Sequence, residues 1–232
     1  MCTMTWWRDL DQYGVYFNRD ELKTRPRATP PQIEGGILAP TDPVGGGSWL
    51  AVNQHGLIVG LLNHWQCTFK GSRSRGKLVM DLASCQSAQA VEEHLTKMDL
   101  TAYSSFTILA MDSNGISRWD WQEQRLQESE AVAPVSSSSY QPEEVLPARK
   151  KVYAELVGQM AKSSPKLLEA YHEAEGEALG IRMCRPDAQT WSRSAIRVEP
   201  SQIHWEYLEE FENLSLPSKR WASTLSRKLP ST

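Results

Sequence analysis

Cys2 becomes the first residue of the chain once Met1 is trimmed, and one residue then carries both a thiol and a free α-amine. The thiol is a nucleophile and the amine can be its base, so no separate histidine is needed. An α-amine titrates near ~7.7–8.0, well placed to take a proton at neutral pH. Such a nucleophile needs a charged pair to orient the amine and bind substrate, and donors for the oxyanion that forms on the attacked carbonyl. The run Asn18-Arg19-Asp20-Glu21 closes the second apolar stretch and supplies the pair in Arg19 and Asp20. Asn63, at the end of a later apolar run, supplies an amide donor, and the N–H groups of Gly45–Gly47 can add more. Cys2, Arg19, Asp20 and Asn63 are therefore the expected catalytic residues.

The elements that must hold these groups follow from the pattern. Residues 2–7 and 13–18 read as two strands joined by the polar turn Arg8-Asp9-Leu10-Asp11. Between 22 and 47 the chain holds five prolines and five glycines, which predicts a long ordered loop. Apolar runs on either side of Asn53-Gln54-His55-Gly56 predict a hairpin, and the second run, Leu57 to Leu62, reads as a strand buried on both faces. Ser84 or Ser87 caps a predicted helix over 88–98. Phe106–Met111 and Ile116–Trp121 form a second hairpin across Asp112-Ser113-Asn114-Gly115. Ser136–Ser139 reads as a loop. Helices follow at about 148–162 and 165–175, with Pro147 at a helix start rather than inside one. Strands near 181–184, 189–198 and 202–207 complete an α+β pattern of mostly antiparallel sheets, without regular β-α-β alternation.

Composition bounds the function. The 232 residues fit one domain over 1–213 with a basic tail over 214–232. A net charge of −3 and a pI near 6.0 argue against non-specific nucleic-acid binding. No apolar run is long enough for a membrane-spanning helix, and charges among the first 20 residues exclude a secretory core. Cys2, Cys67, Cys85 and Cys184 show no pairing pattern, so reduced thiols in the cytoplasm are expected. The tail carries Lys219, Arg220, Arg227 and Lys228 and no acid, with Trp221, Leu225 and Leu229 four apart. It reads as a frayed end or as a short amphipathic helix making a weak membrane-surface or partner contact. His64 and Cys67 have a metal-like spacing but lack the second ligand pair of a zinc site. His172 reads as a partly buried, hydrogen-bonded histidine.

Several of these residues together resemble a known family. Met1-Cys2, Asn18-Arg19-Asp20-Glu21, Arg25-Pro26, Gly46-Gly47-Ser48-Trp49, Gly56 and Leu62-Asn63 match the NRDE family, also called the Transport and Golgi organisation protein 2 family. Arg75-Gly76, the 136–149 segment ending in Arg149, and Asp187-Ala188-Gln189-Thr190 extend the match to about residue 207. Ser48 and Leu62 depart from it, since threonine is more usual at both places. The resemblance implies the N-terminal-nucleophile hydrolase fold, a four-layer αββα sandwich, and a likeness to bile-salt hydrolases and penicillin V acylases. In that group an N-terminal cysteine, an arginine, an aspartate and a strand-end asparagine do the chemistry, matching Cys2, Arg19, Asp20 and Asn63. The group's second asparagine would fall near Ser136–Ser139, where this chain has none, and its late arginine near Arg193 or Arg197.

Two functions follow. The first is hydrolysis of an amide or thioester by Cys2, with no cofactor required; Asn18, Gly46, Gly47, Trp49 and His64 are its candidate substrate contacts, although Asn18 and Glu21 also suit loop anchors. The second is a non-catalytic carrier of haem or of an acyl or lipid ligand. The resemblance implies this loosely; an apolar, Trp-rich pocket beside the Pro/Gly segment would hold the ligand, and Cys2, His64 or Cys67 could reach a haem iron.

Overall fold

The computed structural model describes residues 2–64, 69–158, 164–176, 178–210 and 219–228. Met1, Cys67 and Leu229, named above, lie outside them. The chain divides into two compact units: Met1–Arg25, Val132–Val198 and His204–Ala222 make the first, and Pro26–Ala131, Glu199–Ile203 and Ser223–Thr232 the second.

In the second unit, β3 (Thr29–Glu34), β4 (Ile37–Thr41), β5 (Leu50–Asn53), β6 (Ile58–Asn63), β7 (Phe106–Asp112), β8 (Gly115–Gln122) and β9 (Arg125–Ser129) form one sheet in chain order. Every neighbouring pair is antiparallel. Two helices, α1 (Arg75–Leu82) and α2 (Ala88–Lys97), lie on β5–β6 and on β7. Their buried faces (Leu78, Val79 and Leu82; Val91 and Leu95) join Val59, Leu61, Ile108 and Ala110 in one core. Ser87 is the cap: its hydroxyl accepts from the Ala90 N–H at 3.1 Å. The two hairpins expected over 50–63 and 106–121 are present, whereas α1 and β9 were not expected.

The Pro/Gly segment is a loop only in part: residues 23–28 and 42–47 are turns and irregular chain, whereas its middle is paired strand. Residues 29–41 fold as the β3–β4 hairpin, turning at Gly35 and Gly36, whose φ values of +58° and +80° lie in the region that favours glycine. Pro30 and Pro31 are tolerated because β3 is an edge strand, and the ladder is irregular between Thr29 and Gln32, where they sit.

In the first unit, β1 (Cys2–Arg8) pairs antiparallel with β2 (Tyr13–Leu22) and with β10 (Val135–Ser137). On the far side of β2 lies β11 (Ala188–Val198), followed in the sheet by β12 (Gln202–Glu209) and β13 (Lys219–Ser226), of which His204–Glu209 and Lys219–Ala222 are counted in this unit. Three expectations change. The serine run is partly strand, because β1 offers Val135–Ser137 an open edge. Residues 181–184 make only isolated bridges, Glu175 with Arg182 and Cys184 with Gln189. Residues 219–226 of the supposed tail are a strand, with Trp221, Ser223 and Leu225 turned inward at period two. A spacing of four fits a strand as well as a helix, which is why the tail misled.

Helix α3 (Pro142–Leu156) packs on β10, and α4 (Pro165–Glu173) on β1 and β2. Proline opens both helices, at Pro142 and Pro165. Pro147 lies inside α3 and gives up one helical hydrogen bond. Trp7, Val157, Leu168, Tyr171 and Ile181 form the core between helices and sheet.

A buried polar knot seats α4. Asn18 Nδ2 donates to the His172 and Ile181 carbonyls at 3.0 Å each, which leaves Asn18 Oδ1 to accept from His172 Nδ1 at 2.8 Å. His172 Nε2 then accepts from the Thr5 hydroxyl at 2.9 Å. The imidazole is neutral: burial, reinforced by the nearby Arg193 and Arg149 charges, lowers its pKa to about 3. Its unfolded value is about 6.5, so the unfolded chain binds the extra proton between the two. Stability from this group is complete above pH 6.5 and falls as pH drops toward 3. By pH 5 the loss is about 2 kcal/mol. Urea unfolding at pH 7 and pH 5 should show that extra loss in the native chain and not in His172→Gln; parallel losses would contradict a neutral buried imidazole.

Candidate active site

Register decides which side chains meet. Across the first sheet, Ser137, Cys2, Arg19 and Ser192 are direct partners on β10, β1, β2 and β11. In-register residues share one face, with Cβ atoms roughly 4.5–5.5 Å apart on adjacent strands. All four are buried. The expected neighbourhood of Cys2 and Arg19 is thus present, with a serine on each flank. Neither serine hydroxyl, Ser137 Oγ or Ser192 Oγ, has a hydrogen-bond partner among the described residues. The Arg19 guanidinium also reaches Glu21 Oε2 at 3.6 Å, and Glu21 in turn faces Arg25. Burial pushes the Cys2 thiol above its ordinary value, although the Arg19 charge draws it down. The resting group is therefore the neutral thiol, and any nucleophilic role would call for a base beside it.

One residue further along β2 the chain faces the helices. Asp20 Oδ2 accepts from Arg149 Nη2 at 2.8 Å, with both side chains wholly buried. Asp20 Oδ1 accepts from the Thr190 hydroxyl at 2.7 Å. Arg149, from α3, also donates through Nη1 to the Thr3 hydroxyl at 2.6 Å, and Thr3 meets Ser136 Oγ at 3.0 Å. One cation therefore fastens α3 to β1 and β2 beneath Cys2. Arg149 was legible as a motif residue but not in this role, because its partner is 129 positions away. Asp20 is fixed by this pair, which makes it a support for the Cys2–Arg19 end of the hairpin.

Asn18 is not available to a substrate. It is 0% exposed and its amide is spent on His172 and Ile181. The alternation of a strand carries the signal that places it: if Arg19 shares a face with Cys2, Asn18 must point the other way.

The other expected residues belong to the second unit. Gly46 has φ +63° and spends its N–H on the Asp42 carbonyl at 2.8 Å, so that N–H is no free oxyanion donor. Gly47 lies against the backbone of Gly76 and Lys77, where any Cβ would collide, and this close approach lets the Ser48 N–H bond the Gly76 carbonyl at 3.0 Å. The Gly-rich segment thus seats α1. Trp49 is buried. Asn63 ends β6, exposed, opposite Phe106. His64 Nε2 lies 2.7 Å from Gln122 Nε2, and burial lowers its pKa. Among the described residues, no group of three or more His, Cys, Asp or Glu side chains could hold a metal ion, and no helix is long and apolar enough to cross a membrane.

Residues 1–178 match the family described as Transport and Golgi organisation 2. No curated protein sequence matches the chain. Among solved structures, a cysteine-to-alanine mutant of the conjugated bile acid hydrolase from Clostridium perfringens is similar over 99% of this chain and 97% of its own, at 10% identity and a TM-score of 0.58. An arginine-to-leucine variant of that enzyme is similar over 94% and 96%, again at 10% identity, with a TM-score of 0.50. At this identity the likeness is one of fold: α+β, of the N-terminal-nucleophile hydrolase type, with antiparallel sheets.

The buried pair gives a stability test. Removing one partner of such a pair costs about 3–5 kcal/mol, because the other charge is left stranded. Arg149→Met should lose that much in urea unfolding, and Asp20→Asn with Arg149→Met should regain most of it. Additive losses in the double variant would show that the pair is not the fastening described.

Proposed function

The chain belongs to the Transport and Golgi organisation 2 family, and on that premise we propose that it is a hydrolase in which Cys2 cleaves an amide or thioester of a small molecule. The observation that carries this reading is the in-register pair of Cys2 and Arg19, buried together on one face of the first sheet. With Met1 removed, the Cys2 α-amine takes the thiol proton as sulfur attacks the carbonyl carbon. The amine returns that proton to the departing amine or thiolate as the bond to carbon breaks. Water then hydrolyses the acyl-cysteine by the same proton route in reverse, releasing the acid and restoring the thiol. Arg19 steadies negative charge on sulfur or on a substrate carboxylate. The raised thiol pKa supports the need for an adjacent base. This chemistry requires a reduced thiol, in keeping with a cytoplasmic setting.

The carrier reading, haem or an acyl chain, draws less support. A cavity of about 500 Å³ in the first unit is lined by Trp7, Tyr16 and Ile196 but also by Arg8, Asp9, Glu169 and Arg197, a mixed lining rather than a purely apolar one. It opens beside Trp7, whose strand partner is Gly14, five residues along β1 from Cys2.

The test uses p-nitrophenyl acetate as the probe, with intact mass measured on the same sample. The expected result is a chain lacking Met1 that releases p-nitrophenolate in a first-turnover burst. That burst should disappear in Cys2→Ala with the melting temperature preserved. A retained Met1, or a burst that survives Cys2→Ala, would overturn the reading.

A further inference from the structure

Within Ser136, Ser137 and Ser138, the polar chemistry is divided unevenly. Ser136 Oγ meets Thr3 Oγ1 at 3.0 Å on the helix-facing side. Ser138 Oγ donates to the Tyr140 carbonyl at 2.5 Å and accepts from the Tyr140 N–H at 3.1 Å, closing the turn after β10. Ser137 lies between them, buried, with its hydroxyl unpartnered among the described residues. A buried hydroxyl without a partner is destabilising, and a native chain that carries one calls for an explanation. The explanation lies in the register: Ser137 is the direct cross-strand partner of Cys2, on the same face. Hydroxyl and thiol each stand one bond from Cβ atoms roughly 4.5–5.5 Å apart. A carbonyl attacked by Cys2 Sγ would bring its oxygen within reach of that hydroxyl. Ser192, the other orphaned serine of the row, is two strands from Cys2, roughly 10 Å away at 4.7–4.9 Å per strand, and is too distant for this task.

We propose that the Ser137 hydroxyl is a side-chain oxyanion donor for the reaction of Cys2, so that β10 supplies from a serine the hydrogen bond that an amide could give at that place. The assignment rests on the nucleophile reading of Cys2. As sulfur bonds to the carbonyl carbon, the C=O π pair moves onto oxygen, and Ser137 O–H donates to it without giving up its proton. When the leaving group departs, the pair returns and the donor is released.

Two reactions of the same thiol separate this role from a structural one. Acylation by p-nitrophenyl acetate passes through an oxyanion, whereas alkylation by iodoacetamide does not. Ser137→Ala should slow the acylation burst by about 10²-fold, the usual worth of one such donor. Alkylation of Cys2, read by peptide mass, should stay within about twofold, as expected for a group that acts only on the oxyanion. Ser137→Asn should restore most of the burst. An unchanged burst in Ser137→Ala would overturn the assignment while leaving the nucleophile intact, provided Cys2→Ala abolishes it. Equal losses in acylation and alkylation would overturn it in favour of a packing role. A burst that persists in Cys2→Ala, or is absent from the native chain, would overturn the nucleophile reading and this assignment with it.

Discussion

Consecutive residues of a strand point to opposite faces, and β2 turns that constraint into the organisation of the first unit. From Asn18 to Glu21 the side chains alternate. The even positions reach the helices, Asn18 to His172 and Asp20 to Arg149. The odd positions share the face of Cys2, with Arg19 directly beside it. Four contiguous residues therefore do two jobs at once. Moving the register by one would exchange them, placing a guanidinium where the helices pack and an acid beside the thiol. The Asp20–Arg149 pair opposes such a slip, since either charge turned to the wrong face would be buried alone.

Burial of Cys2 carries a chemical consequence. A thiol held above its ordinary pKa is a poor standing nucleophile and is correspondingly safe from adventitious oxidation. In the proposed reaction, reactivity is then generated on contact with a substrate. A base on the same residue does this without a second side chain having to be positioned. The price is precision in the backbone, and β1 has it: Cys2 is paired on both sides, to Arg19 and to Ser137.

What could be read from the chain follows the distance between partners. The β1–β2 hairpin is local, so Cys2 and Arg19 could be placed together from the sequence. The β5–β6 and β7–β8 hairpins were legible for the same reason. Arg149 was visible only as part of a motif, since its role depends on a fold that brings α3 over β1 and β2. Ser137 was hidden in a polar run that looks like loop, because serine has little strand preference of its own and β10 exists by virtue of β1. The middle of the Pro/Gly segment was misread because its prolines suit an edge strand as well as a loop. Asn63 was correctly placed at a strand end, though the residues around it belong to the second unit.

The outer strands of the two sheets have a significance beyond their own unit. An exposed strand edge is a template on which another copy of a chain can pair and begin to aggregate. Each of the four edges here is blunted by a different means. β3 presents Pro30 and Pro31, which have no N–H to offer, and β9 carries Arg125 and Glu128. β13 opens with Lys219 and Arg220, and β10 is only three residues long. Among the described residues, each outer strand thus carries a feature that disfavours pairing with another copy, and β10, the strand that borders Cys2, is the one guarded by brevity alone.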